Sequence, residues 1–237
     1  MPANPKDLLM TCTSPEPLAI HVNDRAAVSG LLLVPEHPRA CIVLAHGAGA
    51  GMRHSFMAAV ATGLCVRGIA TLRYQFPFME KGGRRPDPPA VAQATVRAAV
   101  AQAQTCLPSL PLFAGGKSFG GRMTSQAQAA SPLSGVVGLA FLGFPLHPAG
   151  KPSVTRAEHL HRVNIPMLFV QGTRDALADA SLLQQVTADV GGQASLIMIA
   201  DADHSFHVPA RTGRTDEQVL TELLDVLAAW VGQLINK

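Results

Sequence analysis

Six short apolar runs, at residues 41–45, 69–74, 112–114, 136–142, 167–170 and 196–200, alternate with longer, often Ala-rich stretches of helical period. A run of three to seven residues that is almost wholly apolar has no solvated face. Helices must therefore cover both sides of the sheet that such runs build, and that sheet is mostly parallel. Upstream, residues 18–22 and 28–34 flank the polar turn Asn23-Asp24-Arg25 and read as an antiparallel hairpin at one edge. The expectation is an α/β fold with a sheet of about eight strands.

Between the strands, Val91, Ala94, Ala98 and Ala101 recur at three- and four-residue steps, so residues 89–106 read as a helix with one buried stripe. Thr215-Asp216-Glu217-Gln218 is a capping box, and Leu220, Leu223, Leu224, Leu227, Trp230 and Leu234 give the last helix an apolar face. No repeat or long linker divides the series, so residues 1–237 read as a single domain, with 1–16 a loosely ordered N-terminal extension. Residues 81–89 form a loop of Gly, Arg and Pro.

Composition narrows the function. Of 237 residues, 48% are hydrophobic and 15% charged, below the usual quarter or so, which excludes intrinsic disorder. A net charge of +3 is too small for the continuous basic face of a nucleic-acid binder. No run approaches the roughly 18 apolar residues that cross a membrane, and the N-terminus lacks a secretory segment. Cys12, Cys41, Cys65 and Cys106 are widely spaced with no C-x-x-C pair, so neither a disulfide framework nor a cysteine metal site is expected, and a reducing, cytoplasmic location fits. The low charge content is compatible with a homodimer.

The chemistry is carried by Gly116-Lys117-Ser118-Phe119-Gly120, directly after the strand at 112–114. A nucleophile on a sharp strand-to-helix turn needs small residues two positions to either side, and Gly116 and Gly120 meet that need. The plain alternative is a Gly-rich turn whose Ser caps a helix. His46-Gly47-Ala48-Gly49-Ala50-Gly51, after the strand at 41–45, falls where an oxyanion loop belongs, which makes the backbone N–H groups of Ala48 and Phe119 the candidate oxyanion donors. Its glycines lack the spacing of a nucleotide-binding turn.

A serine nucleophile needs a histidine base and an acid to orient it, in the chain order Ser, Asp, His for this strand pattern. Asp175 follows the strand at 167–170 and His204 the strand at 196–200. Each has rivals. Asp179 suits the cap of a helix starting near Ala180, Asp201 or Asp203 could orient the imidazole from its own loop, and His207 lies three residues past His204. His159-Leu160-His161 lacks a third ligand and reads as a solvated helix face, so no metal or organic cofactor is called for. Arg73, His147 and Lys151 sit on segments leaving the carboxyl edge of the sheet and are the candidate substrate contacts, Arg73 with Asp87 as its other conceivable partner. The connection at 145–164 is too short for a helical cap.

These segments resemble an α/β-hydrolase: the HGAGAG loop, the GGKSFGGR elbow, the GTRD turn and the DADHSF loop. Arg73-Tyr74-Gln75-Phe76-Pro77, Arg85-Pro86-Asp87-Pro88 and the segment at 144–152 are more narrowly similar to a small dienelactone-hydrolase-like subgroup. The resemblance implies an α/β-hydrolase fold without a large cap, with helices on both faces of a mostly parallel sheet. It also implies hydrolysis of a small acyl substrate through Ser118, Asp175 and His204. Dienelactone hydrolases carry Cys at the elbow, where this chain has Ser118. Relatives resembling a scaffold subunit of a chromatin-modifying assembly belong to the same subgroup, so a non-catalytic binding or assembly module is the alternative to a serine esterase.

Overall fold

The eight expected strands form at β1 Glu16–Asn23, β2 Ala26–Leu33, β3 Ala40–Ala45, β4 Ile69–Tyr74, β5 Leu112–Lys117, β6 Val136–Leu142, β7 Met167–Gly172 and β8 Ala194–Ile199. They come from a computed structural model that describes residues 12, 14–24 and 26–236. All join one sheet in the order β1-β2-β4-β3-β5-β6-β7-β8. β1 and β2 pair antiparallel, as the hairpin reading requires, and β2 meets β4 antiparallel, while β3 to β8 run parallel to one another.

Alternation along the buried strands separates two apolar layers. On β3, Cys41, Val43 and Ala45 face one side with residues of α3 Pro89–Cys106, which follows the one-turn α2 Pro77–Glu80, and of α4 Phe119–Ala130. Ala40, Ile42 and Leu44 face the other, with α1 Ser55–Val66 and α6 Asp216–Ile235. α5 Ala180–Val190 completes the first layer through Leu183 and Val186. The capping box on α6 forms in full, Thr215 Oγ1 accepting from Gln218 N and Gln218 Oε1 from Thr215 N. By length and composition α6 could cross a membrane, but Val219, Leu223, Leu227 and Val231 are buried in the core. Between β6 and β7 the chain makes a 3₁₀ segment, Thr155–Arg162, packed on α4, and no cap rises over the sheet edge among the described residues.

Three expectations are corrected. The buried stripe of α3 is Ala92, Thr95, Val96, Ala99, Val100 and Ala103 rather than the one containing Val91, which is exposed. Both stripes have helical spacing, and the chosen one packs two valines while the Thr95 hydroxyl is satisfied by Val91 O at 2.9 Å. Second, Cys12 and Cys65 are joined in a disulfide, where no bridge was expected. The strand-like pairing of Cys12 with Pro35 carries it over α1, a meeting set by tertiary fold and not by spacing. Of the proposed extension, Glu16 already belongs to β1, and residues 1–11 and 13 lie outside the described residues. Third, His159 is buried rather than solvated, and its Nε2 is 2.7 Å from Ser125 Oγ on α4; His161 alone is exposed.

Burial, with Arg122 and Arg162 adding repulsion, pushes the His159 imidazole down to about 4. Its folded value lies below the unfolded one near 6.5, so the unfolded chain binds the proton first. Stability is thus present above pH 6.5 and lost as the pH falls below it. Lowering the pH from 7.5 to 5 is expected to cost about 2 kcal/mol at this site. Urea midpoints across that range should fall for the parent and fall visibly less for His159→Gln; equal slopes would assign the acid sensitivity elsewhere.

Candidate active site

The strand order places β3 at the centre with β4 on one side and β5 on the other, so the chain's winding reverses between β3 and β5. Their carboxyl ends diverge there and leave a crevice, the usual ligand position of an open α/β sheet. Ser118 follows β5 and the Gly-rich loop follows β3.

Ser118 holds φ 51° and ψ −117° between β5 and α4, a conformation rare for a residue with a side chain, which lifts its hydroxyl clear of the sheet. The glycines beside it are required by the adjacent strand. A Cβ on Gly116, at φ 148°, would lie 2.1 Å from Ala45 O, and one on Gly120 would lie 2.6 Å from His46 O.

His204 reaches Ser118 across the crevice, Nε2 lying 2.9 Å from Ser118 Oγ, while Nδ1 lies 2.7 Å from Asp175 Oδ2. The structure thus brings the three expected side chains into one hydrogen-bonded line. The Asp175 carboxylate is fully enclosed and takes further hydrogen bonds from Leu177 N at 2.8 Å and Gln171 Nε2 at 2.5 Å. With Oδ2 fixed from two sides, the imidazole is held with its proton on Nδ1 and Nε2 free to accept. Gln171 was not anticipated. Its Oε1 accepts from Phe144 N at 2.8 Å, and the clue was a buried amide ending an otherwise apolar strand.

The rivals have other work. Asp179 caps α5, Oδ1 accepting from Ser181 Oγ and Leu182 N, bonds that hold its carboxyl below the usual range. Asp203 Oδ1 accepts from Ser205 N and His207 N, folding the loop that carries His204. Asp201 is exposed, with its N–H on Thr173 Oγ1. His207 pairs with Asp216 on the surface, and that carboxylate's hydrogen bond raises its pKa.

Two basic side chains brace the site. His46 is buried with Nδ1 donating to Gly47 O at 2.7 Å and Nε2 accepting from Phe76 N at 3.0 Å, and burial lowers its pKa, which keeps it neutral. Lys117 Nζ donates to His204 O at 2.6 Å and lies 5.5 Å from the Phe206 ring centroid. Burial brings its pKa down to about 8 against the pull of Asp175 and Asp203.

A cavity of about 370 Å³ opens over Ser118, walled by residues 47–50, Phe56, Met57, Leu177 and His204 among others. Ala48 therefore shares the cavity wall with Ser118, and Phe119 N is the first backbone donor of α4 beyond it. A cavity of about 440 Å³ over the β1–β2 hairpin contains none of the three aligned side chains. The expected substrate contacts do not reach the Ser118 cavity. Arg73 is buried beneath the loop after β3 and donates to Met52 O at 3.1 Å. Asp87 is not its partner but accepts from Phe78 N. His147 is buried, with Nδ1 on Pro148 O and Nε2 accepting from Asp179 N, and Lys151 is exposed. Position on the right sheet edge was true of all three. Direction was what the sequence did not specify.

Comparison with known proteins agrees with this architecture. A dienelactone hydrolase from Anabaena variabilis superposes with a TM-score of 0.72 at 20% identity, covering 94% of this chain and 99% of that one. A serine hydrolase without a lid from Xanthomonas campestris gives 0.71 at 20% identity, covering 92% and 95%. A Mycobacterium tuberculosis protein named provisionally as a phosphoribosyl transferase is 31% identical over 191 residues, 77% of this chain; the chain spans only 40% of that relative's length. The alpha/beta hydrolase domain model matches residues 38–232. Elbow, reversed strand order and uncapped edge all lie within that stretch, and the chain accordingly belongs to the alpha/beta hydrolase domain family, with a dienelactone-hydrolase-like fold.

Proposed function

We propose that this protein is a serine hydrolase that cleaves a small carboxylic ester or related acyl bond through an acyl-enzyme. The observation that carries the reading is the line of hydrogen bonds from Ser118 through His204 to the enclosed Asp175. Ser118 Oγ attacks the carbonyl carbon as His204 Nε2 takes its proton, and Asp175 stabilises the imidazolium that results. The carbonyl oxygen, now an anion, is held by the N–H groups of Ala48 and Phe119. His204 then returns the proton to the departing oxygen, and water repeats the sequence on the acyl-serine. The mycobacterial relative's name gives no role to such a serine, and most of that protein lies outside the match. A scaffold role would leave the enclosed acid and aligned base without a task.

Incubation of the folded protein with a fluorophosphonate is expected to label Ser118, mapped by peptide mass spectrometry, and Ser118→Ala should abolish the label. An unlabelled native protein would return the choice to a non-catalytic module. The open edge above β6 and β7 offers little apolar surface to a long acyl chain, so acetate and butyrate esters should be cleaved at least about tenfold faster than palmitate. Side-by-side kcat/KM values decide it, and a preference for palmitate would contradict an uncapped site.

A further inference from the structure

A second cavity, of about 400 Å³, opens beside the first. Its apolar lining comes from Phe56 and Ala59 on α1, Phe206 after the base, and Leu220 on α6. The two cavities have His54, Phe56 and Ser205 in both linings, so they are immediate neighbours. The reaction just proposed uses only the first.

The direction of the second cavity assigns its occupant. When the tetrahedral intermediate collapses, the departing oxygen must take its proton from His204 Nε2, which lies 2.9 Å from the Ser118 oxygen. The alcohol half of the ester must therefore leave on the His204 side, while the carbonyl oxygen turns to Ala48 and Phe119. Ser205, the residue directly after the base, lines both cavities, and Phe206 and His207 line the second. An alcohol group extended past the imidazole thus enters the second cavity. Its interior is apolar, with half-buried Phe56, Ala59 and Leu220 in the lining and the buried Phe206 ring stacked behind Phe56 at 5.7 Å. On its polar rim, His207 pairs with Asp216 at 2.9 Å and His54 Nδ1 accepts from Phe56 N.

We propose, resting on the serine-hydrolase reading, that the cavity bounded by Phe56, Ala59, Phe206 and Leu220 is the leaving-group subsite, and that it selects esters of apolar, in particular aryl-alkyl, alcohols. Phe206 serves it by conformation as well as by surface. It holds φ 64°, a strained backbone that keeps its ring in the core against Phe56. Each methylene of the alcohol that enters should raise kcat/KM by about three- to fourfold, while equal growth of the acyl chain should not.

The test compares acetates of methanol, butanol, hexanol and 2-phenylethanol with methyl esters of butyrate and hexanoate, using the full chain. A kcat/KM that climbs tenfold or more along the alcohol series and stays level along the acyl series is the expected result. Ala59→Trp, which fills the cavity from a half-buried helix position, should bring the ratio of 2-phenylethyl to methyl acetate close to one, and Leu220→Gln should lower it. Fluorophosphonate labelling of Ser118 verifies that each variant is folded. A gain that follows the acyl chain, a flat alcohol series, an unchanged ratio in labelled Ala59→Trp, or labelling without turnover of any ester overturns the subsite and leaves the serine reading standing. No turnover together with an unlabelled Ser118 overturns both.

Discussion

Asp175→Asn is expected to lower turnover by about ten-thousand-fold while leaving the fold intact. The carboxylate accepts two hydrogen bonds at Oδ2, from His204 and Gln171, and one at Oδ1 from Leu177 N. An amide at this position keeps one acceptor and introduces an NH₂ that must face a donor. If the amide nitrogen meets His204, the imidazole turns to the tautomer with its proton on Nε2 and can no longer accept from Ser118. Circular dichroism should be unchanged, and ester hydrolysis should nearly vanish. Asp179→Asn should cost far less, because its oxygen caps α5 and can be replaced by an amide oxygen. Comparable losses at Asp179 or Asp203 with Asp175 silent would move the acid to another residue.

The second large effect falls on stability. Gly116→Ala adds a single methyl group, but places it 2.1 Å from the main-chain oxygen of Ala45 at a φ of 148°. Neither backbone can yield cheaply, because Gly116 and Ala45 are paired in register across the centre of the sheet. A loss of about 4 kcal/mol or more is expected, a large part of the 5–15 kcal/mol of an ordinary domain. Gly49→Ala is the control, since nothing lies within 4 Å of the added Cβ; it should change stability by less than about 0.5 kcal/mol. Chemical denaturation of both variants separates steric need from mere loop preference, and a Gly116→Ala protein as stable as the parent would refute the clash.

The central strands were legible because each is a nearly closed apolar run, whereas their order in the sheet was not read from the sequence and is set by tertiary packing. Where runs end was less legible: β5 continues through Gly115, Gly116 and Lys117, residues with no apolar character, because pairing with β3 and β6 decides it. The stripe of α3 was ambiguous because alanines fit either face. Ser118, Asp175 and His204 were readable since each follows a strand directly, so topology fixes where the side chain begins. Arg73, His147 and Gln171 show the limit of that argument. All three lie at or near strand ends on the same edge, yet two support backbone and the third braces the acid, distinctions made by side-chain direction within a crowded interior.

Ala45 and Gly116 stand side by side on adjacent central strands, so the loop at 46–51 and the elbow are carried by one stiff pair. The base is carried differently. His204 follows β8, the outermost strand, whose residues are only partly buried. The site consequently has one half, Ser118 with the loop at 46–51, carried by central strands, and another, the His204 imidazole, carried by the sheet margin. Lys117, which ends the central strand β5 and donates to the main chain of His204, ties the two halves together.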